Sequence, residues 1–218
     1  DQWLPEYWAT RESRREPQPG QPVHLLLCIG DHFEPKLGGA SPPQAQERVR
    51  RWCEEYPKLF DAFRDSDGEP PRHTFFYPAE EYESHYVDQI ASLCRQGFGE
   101  VEVHLHHDND SSENLRQTLL QFKETLHHHH GLLSKRSDTG DVGYAFIHGN
   151  WALDNSRPDG RWCGVNNELD ILRETGCFVD MTLPSAPSPT QTTTINSIYY
   201  AVDDPHSPKS HQRGTQVG

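Results

Sequence analysis

Short strand-like segments alternate with amphipathic helical segments along most of this chain, and that alternation limits what it can fold into. Strands are predicted over residues 23–29, 73–77, 144–148, 177–181 and 195–201, with another strand from residue 100. Helices are predicted over about residues 49–63, 82–96, 110–130 and 167–175. Repeated strand–helix units favour parallel strands joined by right-handed crossovers. We therefore predict one α/β domain over residues 23–218, a barrel or an open sheet, preceded by an N-terminal arm of residues 1–22.

One predicted strand ends in residues that bind metals. Residues 100–110 read EVEVHLHHDND, so an alternating strand runs into three histidines and two carboxylates. Imidazoles and carboxylates are ligands of zinc-like divalent ions, and a strand holds its side chains in a fixed place. In parallel α/β folds, functional groups collect at the C-terminal ends of strands, where Asp31 and His148 are also expected. The sequence therefore predicts a divalent metal site there, with Zn²⁺ as the expected ion.

The residues in this run differ in how well they suit a ligand role. Strand alternation places His104 and His106 on one face, so both are predicted ligands, whereas His107 points the other way and is interpreted as a supporting or structural residue. Asp108 is explained equally well as a ligand or as a helix cap. For Asp110 the cap is preferred, because residues 110–113 form a capping-box pattern.

Other candidate residues have two readings as well. Asp31 is a candidate ligand or base, the alternative being a turn carboxylate that accepts bonds from backbone amides. Asn150 and Trp151 follow a strand end, where a cleft role and a capping role are equally supported. The polar loop 203–211 is interpreted as a lid carrying His206, or else as a disordered exit. The four histidines 127–130 are interpreted as a solvated helix end.

Composition narrows the possible partners and compartments. The 218 residues carry a formal net charge of −13, so nucleic acid and anionic membranes are not expected partners, and a neutral or cationic substrate is favoured. No apolar run approaches the roughly 20 residues that span a bilayer, and the N-terminus lacks a signal-peptide layout. The five cysteines form no C-x-x-C pair and are predicted to be reduced thiols. These features favour a soluble, cytoplasmic protein, and they leave the oligomeric state undetermined.

Four stretches resemble the polysaccharide deacetylase superfamily (NodB homology, carbohydrate esterase family 4). They are the acidic turn 29–35, the strand start 74–76, the strand from residue 99 into residues 104–108, and the segment 168–184 with its ELDIL and FVDMTLP runs. The resemblance covers residues 23–187. It implies a distorted, incomplete (β/α) barrel.

The chain departs from the family pattern at several positions. Gly30 and Asp31 stand where the family has two adjacent carboxylates, and Asp108 follows His104 where the family has a second histidine. Ile147 stands in place of an arginine, and no closing Leu-His motif is evident. The last residues, 212–218, show no strand, which leaves open a truncation of the domain at its C-terminus.

The resemblance implies a metal-dependent hydrolase that removes acetyl groups from N-acetylated sugars by means of a metal-activated water. The expected ligands are Asp31, His104 and either Asp108 or His106, with His32 replacing Asp31 if that residue is the base. Glu34 is the next candidate for the base. A histidine must protonate the departing amine, and the candidates in order are His148, His206 and His211. Asn150, Trp151 and His206 are the expected substrate contacts, with Trp151 as a wall on which a sugar stacks.

Two other hypotheses remain open. The chain is alternatively a non-catalytic descendant of this fold that binds a carbohydrate or a metal in the old cleft, as Gly30 and Ile147 suggest. A third reading treats the histidines as a pH-responsive cluster without a metal.

Overall fold

A five-stranded parallel sheet forms the centre of the protein. The computed structural model describes residues 1–13 and 17–217. The strands lie side by side in chain order: β1 (Gly30–His32), β2 (His73–Pro78), β3 (Gly99–Leu105), β4 (Tyr144–His148) and β5 (Cys177–Asp180). All their C-terminal ends therefore meet at one edge of the sheet, as the strand–helix alternation predicts.

Helices connect the strands and begin and end at recognisable sequence signals. They are α1 (Leu4–Ala9), α2 (Pro42–Phe60), α3 (Ser84–Arg95), α4 (Ser112–Glu124) and α5 (Glu168–Thr175). Ser41 caps α2 in a capping box with Gln44. Gly176 ends α5 with a φ of 104°, a conformation that costs a glycine little. Three of the predicted helices are confirmed within a few residues, whereas α2 begins seven residues earlier than predicted, at Pro42 in the first turn, where a proline is tolerated.

The helices pack against one face of the sheet. Alternate strand residues such as Phe75, Val103 and Phe146 belong to one core cluster with buried residues of the helices, among them Val49 of α2 and Leu119 of α4. Consecutive strand order and right-handed crossovers put successive helices on the same side, which explains the single large core.

The opposite face of the sheet has a smaller buried cluster and is partly polar. Phe76, Ala145 and Ile147 form a separate buried cluster there. Glu102 is also buried on this face, and its Oε2 accepts a hydrogen bond of 2.5 Å from the backbone N–H of Ala145, next to an irregularity in the β4–β5 pairing. Burial raises the pKa of Glu102 to about 8.

Two strand predictions are wrong. Residues 23–29 were expected to form the first strand, but β1 begins only at Gly30, and the leucines at 25–27 are almost fully exposed. If β1 began earlier in the same parallel register, its first residues would lie opposite Pro70 and Pro71, just before β2. Prolines have no backbone N–H to donate, so regular pairing does not extend in that direction.

The second error is at the C-terminus. Residues 212–218 were expected to contain no strand, yet β7 (Gly214–Gln216) pairs antiparallel with β6 (Tyr199–Ala201) in a separate two-stranded sheet. β6 covers only the end of the strand predicted over residues 195–201. This small hairpin is not hydrogen-bonded to the central sheet.

The N-terminal arm contacts the C-terminal region. The side-chain amide of Gln2 donates to the carbonyl of Pro189 at 3.2 Å, and Lys209 Nζ lies 3.3 Å from Gln2 Oε1. Residues 14–16 of the arm lie outside the described residues. All five cysteines are free thiols, and among the described residues every helix is too short or too polar to cross a membrane.

Adjacent leucines in α4 provide a matched test of the core. Leu119 is fully buried, whereas Leu120 is 38 % exposed. We expect Leu119→Ala to lower the free energy of unfolding by about 2–5 kcal/mol, because it leaves a cavity. Leu120→Ala should change it by less than about 1 kcal/mol. Urea denaturation of both variants measures the difference, and equal losses would contradict this packing.

Glu102 predicts a pH dependence of stability. Its pKa is about 8 in the folded protein and near 4.5 without burial, so the folded state holds the proton more tightly. The stabilisation is complete below about pH 4.5 and is lost as pH rises to about 8, by at most about 1.4 kcal/mol per pH unit. Glu102→Gln should remove this slope in urea denaturation with chelator present. The exposed neighbour Glu100→Gln should keep it.

Candidate metal centres

The ends of β1 and β3 and the turn after β1 bring three ligand groups together. Nδ1 of His32 lies 3.5 Å from Oε1 of Glu34, and Nε2 of His104 lies 3.2 Å from the same oxygen. One ligand atom from each residue lies within 4.8 Å of the others. We call these three residues the open cluster.

His104 is held in the orientation that a ligand needs. Its ring is completely buried, and its Nδ1 donates a hydrogen bond of 2.9 Å to the carbonyl of Ile147 on the neighbouring strand. That bond holds a proton on Nδ1 and directs Nε2 at Glu34, where the same nitrogen can donate to the carboxylate or, without its proton, bind an ion. Burial lowers the pKa of His104, which favours loss of the Nε2 proton. Metal-bound histidines commonly donate their other ring N–H in this way.

The Glu34 carboxylate is ionised in this setting. Burial alone would raise its pKa, but the hydrogen bonds with His104 and His32 lower it to about 2. A carboxylate and two imidazole nitrogens are a common donor set for a catalytic zinc site, in which a fourth position stays open. The residues present therefore fit a zinc-like ion.

A histidine–carboxylate pair lies beside the open cluster. Nδ1 of His106 is 2.5 Å from Oε1 of Glu80, and Nε2 of His106 is 3.6 Å from Oε1 of Glu34. The bond to Glu80 raises the pKa of His106. Gly149 makes room for this ring, because a Cβ at that position would overlap the imidazole.

The open cluster is accessible to solvent on one side. The His32 and His106 side chains are 30 % and 28 % exposed. The ring of Trp151 stands edge-on to His32 at a centroid distance of 6.2 Å, and Trp151 is 46 % exposed. Solvent therefore reaches the cluster at the exposed part of His32, next to Trp151.

A second group of ligand residues lies deeper in the protein. His107, His148, Cys163 and Glu168 each offer one ligand atom within 4.8 Å of the others. We call these four residues the closed cluster, because the last three are completely buried and the His107 side chain is only 6 % exposed.

Charge in the closed cluster is concentrated on two residues. Burial opposes ionisation of both His107 and Glu168, but their mutual contact and their other bonds prevail. The bonds to Asp110, Cys163 and Glu168 raise the pKa of His107 to about 12. The neighbouring imidazoles of His148 and His107 lower the pKa of Glu168 to about 2. Burial lowers the pKa of His148 to about 3 and raises that of Cys163 to about 11.

No family model, curated protein or solved structure matches this chain. The assignment of a function therefore depends on the geometry of these two clusters.

Asp31 and Asp108, two of the expected ligands, lie apart from both clusters. Asp31 precedes His32 in β1, so strand alternation turns it to the helix side, where its Oδ1 lies 2.9 Å from Nε2 of His73. Oδ1 of Asp108 accepts bonds from the backbone N–H groups of Asn109 and Trp162, at 3.0 and 2.6 Å. The structure thus makes both of them partners of neighbouring groups.

The other expected residues are divided between the two clusters and the surface. His148, the first candidate for the acid, is buried in the closed cluster, and the backbone N–H of Asn150 donates to its Nδ1 at 3.2 Å. Trp151 lies beside the open cluster. Within the described residues, no hydrogen bond or ion pair joins His206 to either cluster, and its backbone N–H donates to Asp204 at 3.1 Å.

Sequence reasoning missed three of these functional groups. Glu80 follows the end of β2, so the rule that chemistry collects at strand ends could have found it. That rule does not identify Glu168, which lies at the start of a helix, or Cys163, which lies in a loop. The run of histidines 127–130 lies in a π-helical turn after α4, where His130 bonds to Asp88 and Tyr82.

Zinc affinity distinguishes a ligand set that contains Glu34 from one that contains Asp108. We expect Glu34→Gln to lower the zinc affinity of the open cluster by at least about tenfold, because it removes a charged ligand. Asp108→Asn should leave that affinity within about twofold. Isothermal titration with Zn²⁺ after chelation measures both, and the opposite ranking would restore Asp108 as a ligand.

Proposed function

We propose that the chain is a metal-dependent hydrolase that cleaves the amide bond of N-acetylated sugars and releases acetate. The observation that carries this proposal is the open cluster, in which two imidazoles and a carboxylate converge while one side faces solvent. A zinc-like ion bound there would supply the Lewis acid for activating water and polarising the acetamide carbonyl. The residues around it provide the other requirements of the reaction.

Proton transfer is assigned to the His106–Glu80 pair. Glu80 holds a proton on Nδ1 of His106 and orients the ring, so Nε2, on the open-cluster side, is the atom that takes a proton from the attacking water. The same nitrogen can return that proton to the departing amine. His106 thus replaces both Asp31 and His148 in the proton-transfer roles first considered for them.

Glu34 takes the carboxylate role in binding the ion. Asp31 is paired with His73, whereas Glu34 contacts both His32 and His104. Glu34 therefore provides the acidic ligand that the Gly30–Asp31 sequence lacks, which supports the resemblance to the deacetylases.

The topology and one aromatic residue also support the proposal. Parallel strands in consecutive order, with helices on one face, are what an incomplete (β/α) barrel requires. Trp151 offers an exposed ring beside His32, as expected of a surface on which a pyranose stacks.

A non-catalytic role has one observation in its favour. Among the described residues, no arginine or lysine forms an ion pair with the open-cluster carboxylate or with Glu80. A protein that keeps the ion without turnover would serve as a carbohydrate- or metal-binding module instead.

Acetate release tests the hydrolase directly. With zinc-loaded protein and N-acetylglucosamine oligomers, we expect His104→Ala to abolish acetate release because a buried ligand is lost. Glu80→Gln should lower kcat by at least about tenfold, since it removes the partner that orients the base. His85→Ala, which removes an exposed histidine of α3, should retain full activity.

The outcomes separate the two functions. Stoichiometric zinc at the open cluster without acetate release would reject the hydrolase and favour the binding module. Failure of the open cluster to take up zinc would reject both.

A further inference from the structure

We propose that the closed cluster is a second metal site, in which His107, His148, Cys163 and Glu168 bind one Zn²⁺ as a structural ion. The proposal does not depend on the hydrolase assignment, because none of these residues belongs to the open cluster.

The donor set and its burial fit a structural zinc. Two imidazoles, one thiolate and one carboxylate supply four ligands, and their two negative charges balance the charge of the ion. A thiolate ligand selects zinc-like metals over Mg²⁺ or Ca²⁺, which bind oxygen. The four residues are enclosed by protein, so a bound ion would have no open position for a substrate.

An unpaired nitrogen points into the site. Nε2 of His148 is buried and has no hydrogen-bond partner among the described residues, and the nearest carboxylate oxygen, Oε1 of Glu168, is 3.9 Å away. A buried polar atom without a partner costs about 1–3 kcal/mol. An ion between these two atoms would satisfy the nitrogen.

Three of the four ligands are already bonded as a metal site requires. Nδ1 of His107 lies 2.9 Å from Oδ2 of Asp110, an arrangement that leaves Nε2 for an ion. Oε2 of Glu168 accepts the backbone N–H of Asp154 at 2.6 Å. Sγ of Cys163 accepts the backbone N–H of Asn155 at 3.3 Å, a bond that suits a thiolate.

Metal binding would rearrange the protons of this cluster. The thiol of Cys163 would lose its proton, and so would Nε2 of His107, which faces Glu168 at 3.3 Å. The proton of the neutral His148 ring would move from Nε2 to Nδ1, because Nε2 becomes the ligand. The bond that Asn150 N–H donates to Nδ1 would then be given up, and the turn at residues 148–151 would adjust.

A zinc ion here would join four separate parts of the fold. His107 follows β3, His148 ends β4, Cys163 lies in the loop before α5, and Glu168 begins α5. The loop is already tied to the residues after β3, because Trp162 N–H donates to Asp108 and Asp110 N–H donates to the carbonyl of Cys163. The ion would add a bond from the Cys163 side chain to the ends of β3 and β4.

Cobalt substitution distinguishes the two sites. A thiolate ligand gives Co²⁺ a charge-transfer band in the near ultraviolet, and the open cluster contains no sulfur. We expect the protein to bind one Co²⁺ ion that shows this band, in addition to any ion at the open cluster. Cys163→Ser should lose the band and one ion, whereas Cys94→Ser, which removes a thiol of α3, should keep both.

Several outcomes would overturn the proposal. Folded wild-type protein that saturates with Co²⁺ without the band has no thiolate site, and a band that persists in Cys163→Ser comes from another cysteine. If Cys163→Ser does not fold, X-ray absorption of the zinc-loaded wild-type protein decides instead. A spectrum that contains one sulfur ligand per protein chain supports the site. A spectrum without a sulfur ligand rejects it. If the wild-type protein shows the band but releases no acetate, the hydrolase is rejected and the second metal site is not.

Discussion

The hydrogen bond from His104 to the carbonyl of Ile147 connects the sheet to the chemistry at its edge. It joins β3 to β4 through a side chain, fixes the tautomer of a completely buried ring, and directs Nε2 to Glu34. The parallel register makes this possible, because it sets His104 directly opposite Ile147. The same pairing places Leu105 opposite His148, so one register positions residues of both clusters. A shift of one residue would turn these histidines to the wrong faces.

The two clusters use similar residues in different surroundings. The open cluster and the neighbouring His106 leave part of the His32 and His106 rings in solvent, whereas no side chain of the closed cluster is more than 6 % exposed. Strand alternation causes this separation, since His104 and His106 lie on one side of the backbone and His107 on the other. Three histidines within four positions are thus divided between the two clusters and their surroundings. Exposure suits exchange of a substrate, and enclosure suits a permanent ion.

The sequence predicted the layers of the fold well and the ligand set only in part. Apolar periodicity located α2 to α5 and four of the five sheet strands, and His32, Glu34, His104 and His106 were all among the candidates. Asp31 was misjudged because a residue at a strand end can face either side, and the sequence does not reveal where the strand begins. Glu80, Cys163 and Glu168 are distant in the chain from the histidines they approach, so only the tertiary structure shows those contacts.

Because β1 begins only at Gly30, the residues before it affect the protein at a place away from both clusters. The segment ahead of Gly30 is exposed and rich in leucine, and in the described structure only the carbonyl of Ile29 bonds to the neighbouring strand, through Thr74 N–H. It leads into β1, an edge strand with a neighbour on one side only. The unpaired backbone groups of an edge strand can form hydrogen bonds with another extended chain. Association of this kind buries leucines without disturbing either cluster, so concentrated samples are expected to self-associate along this edge while the geometry of both clusters stays unchanged.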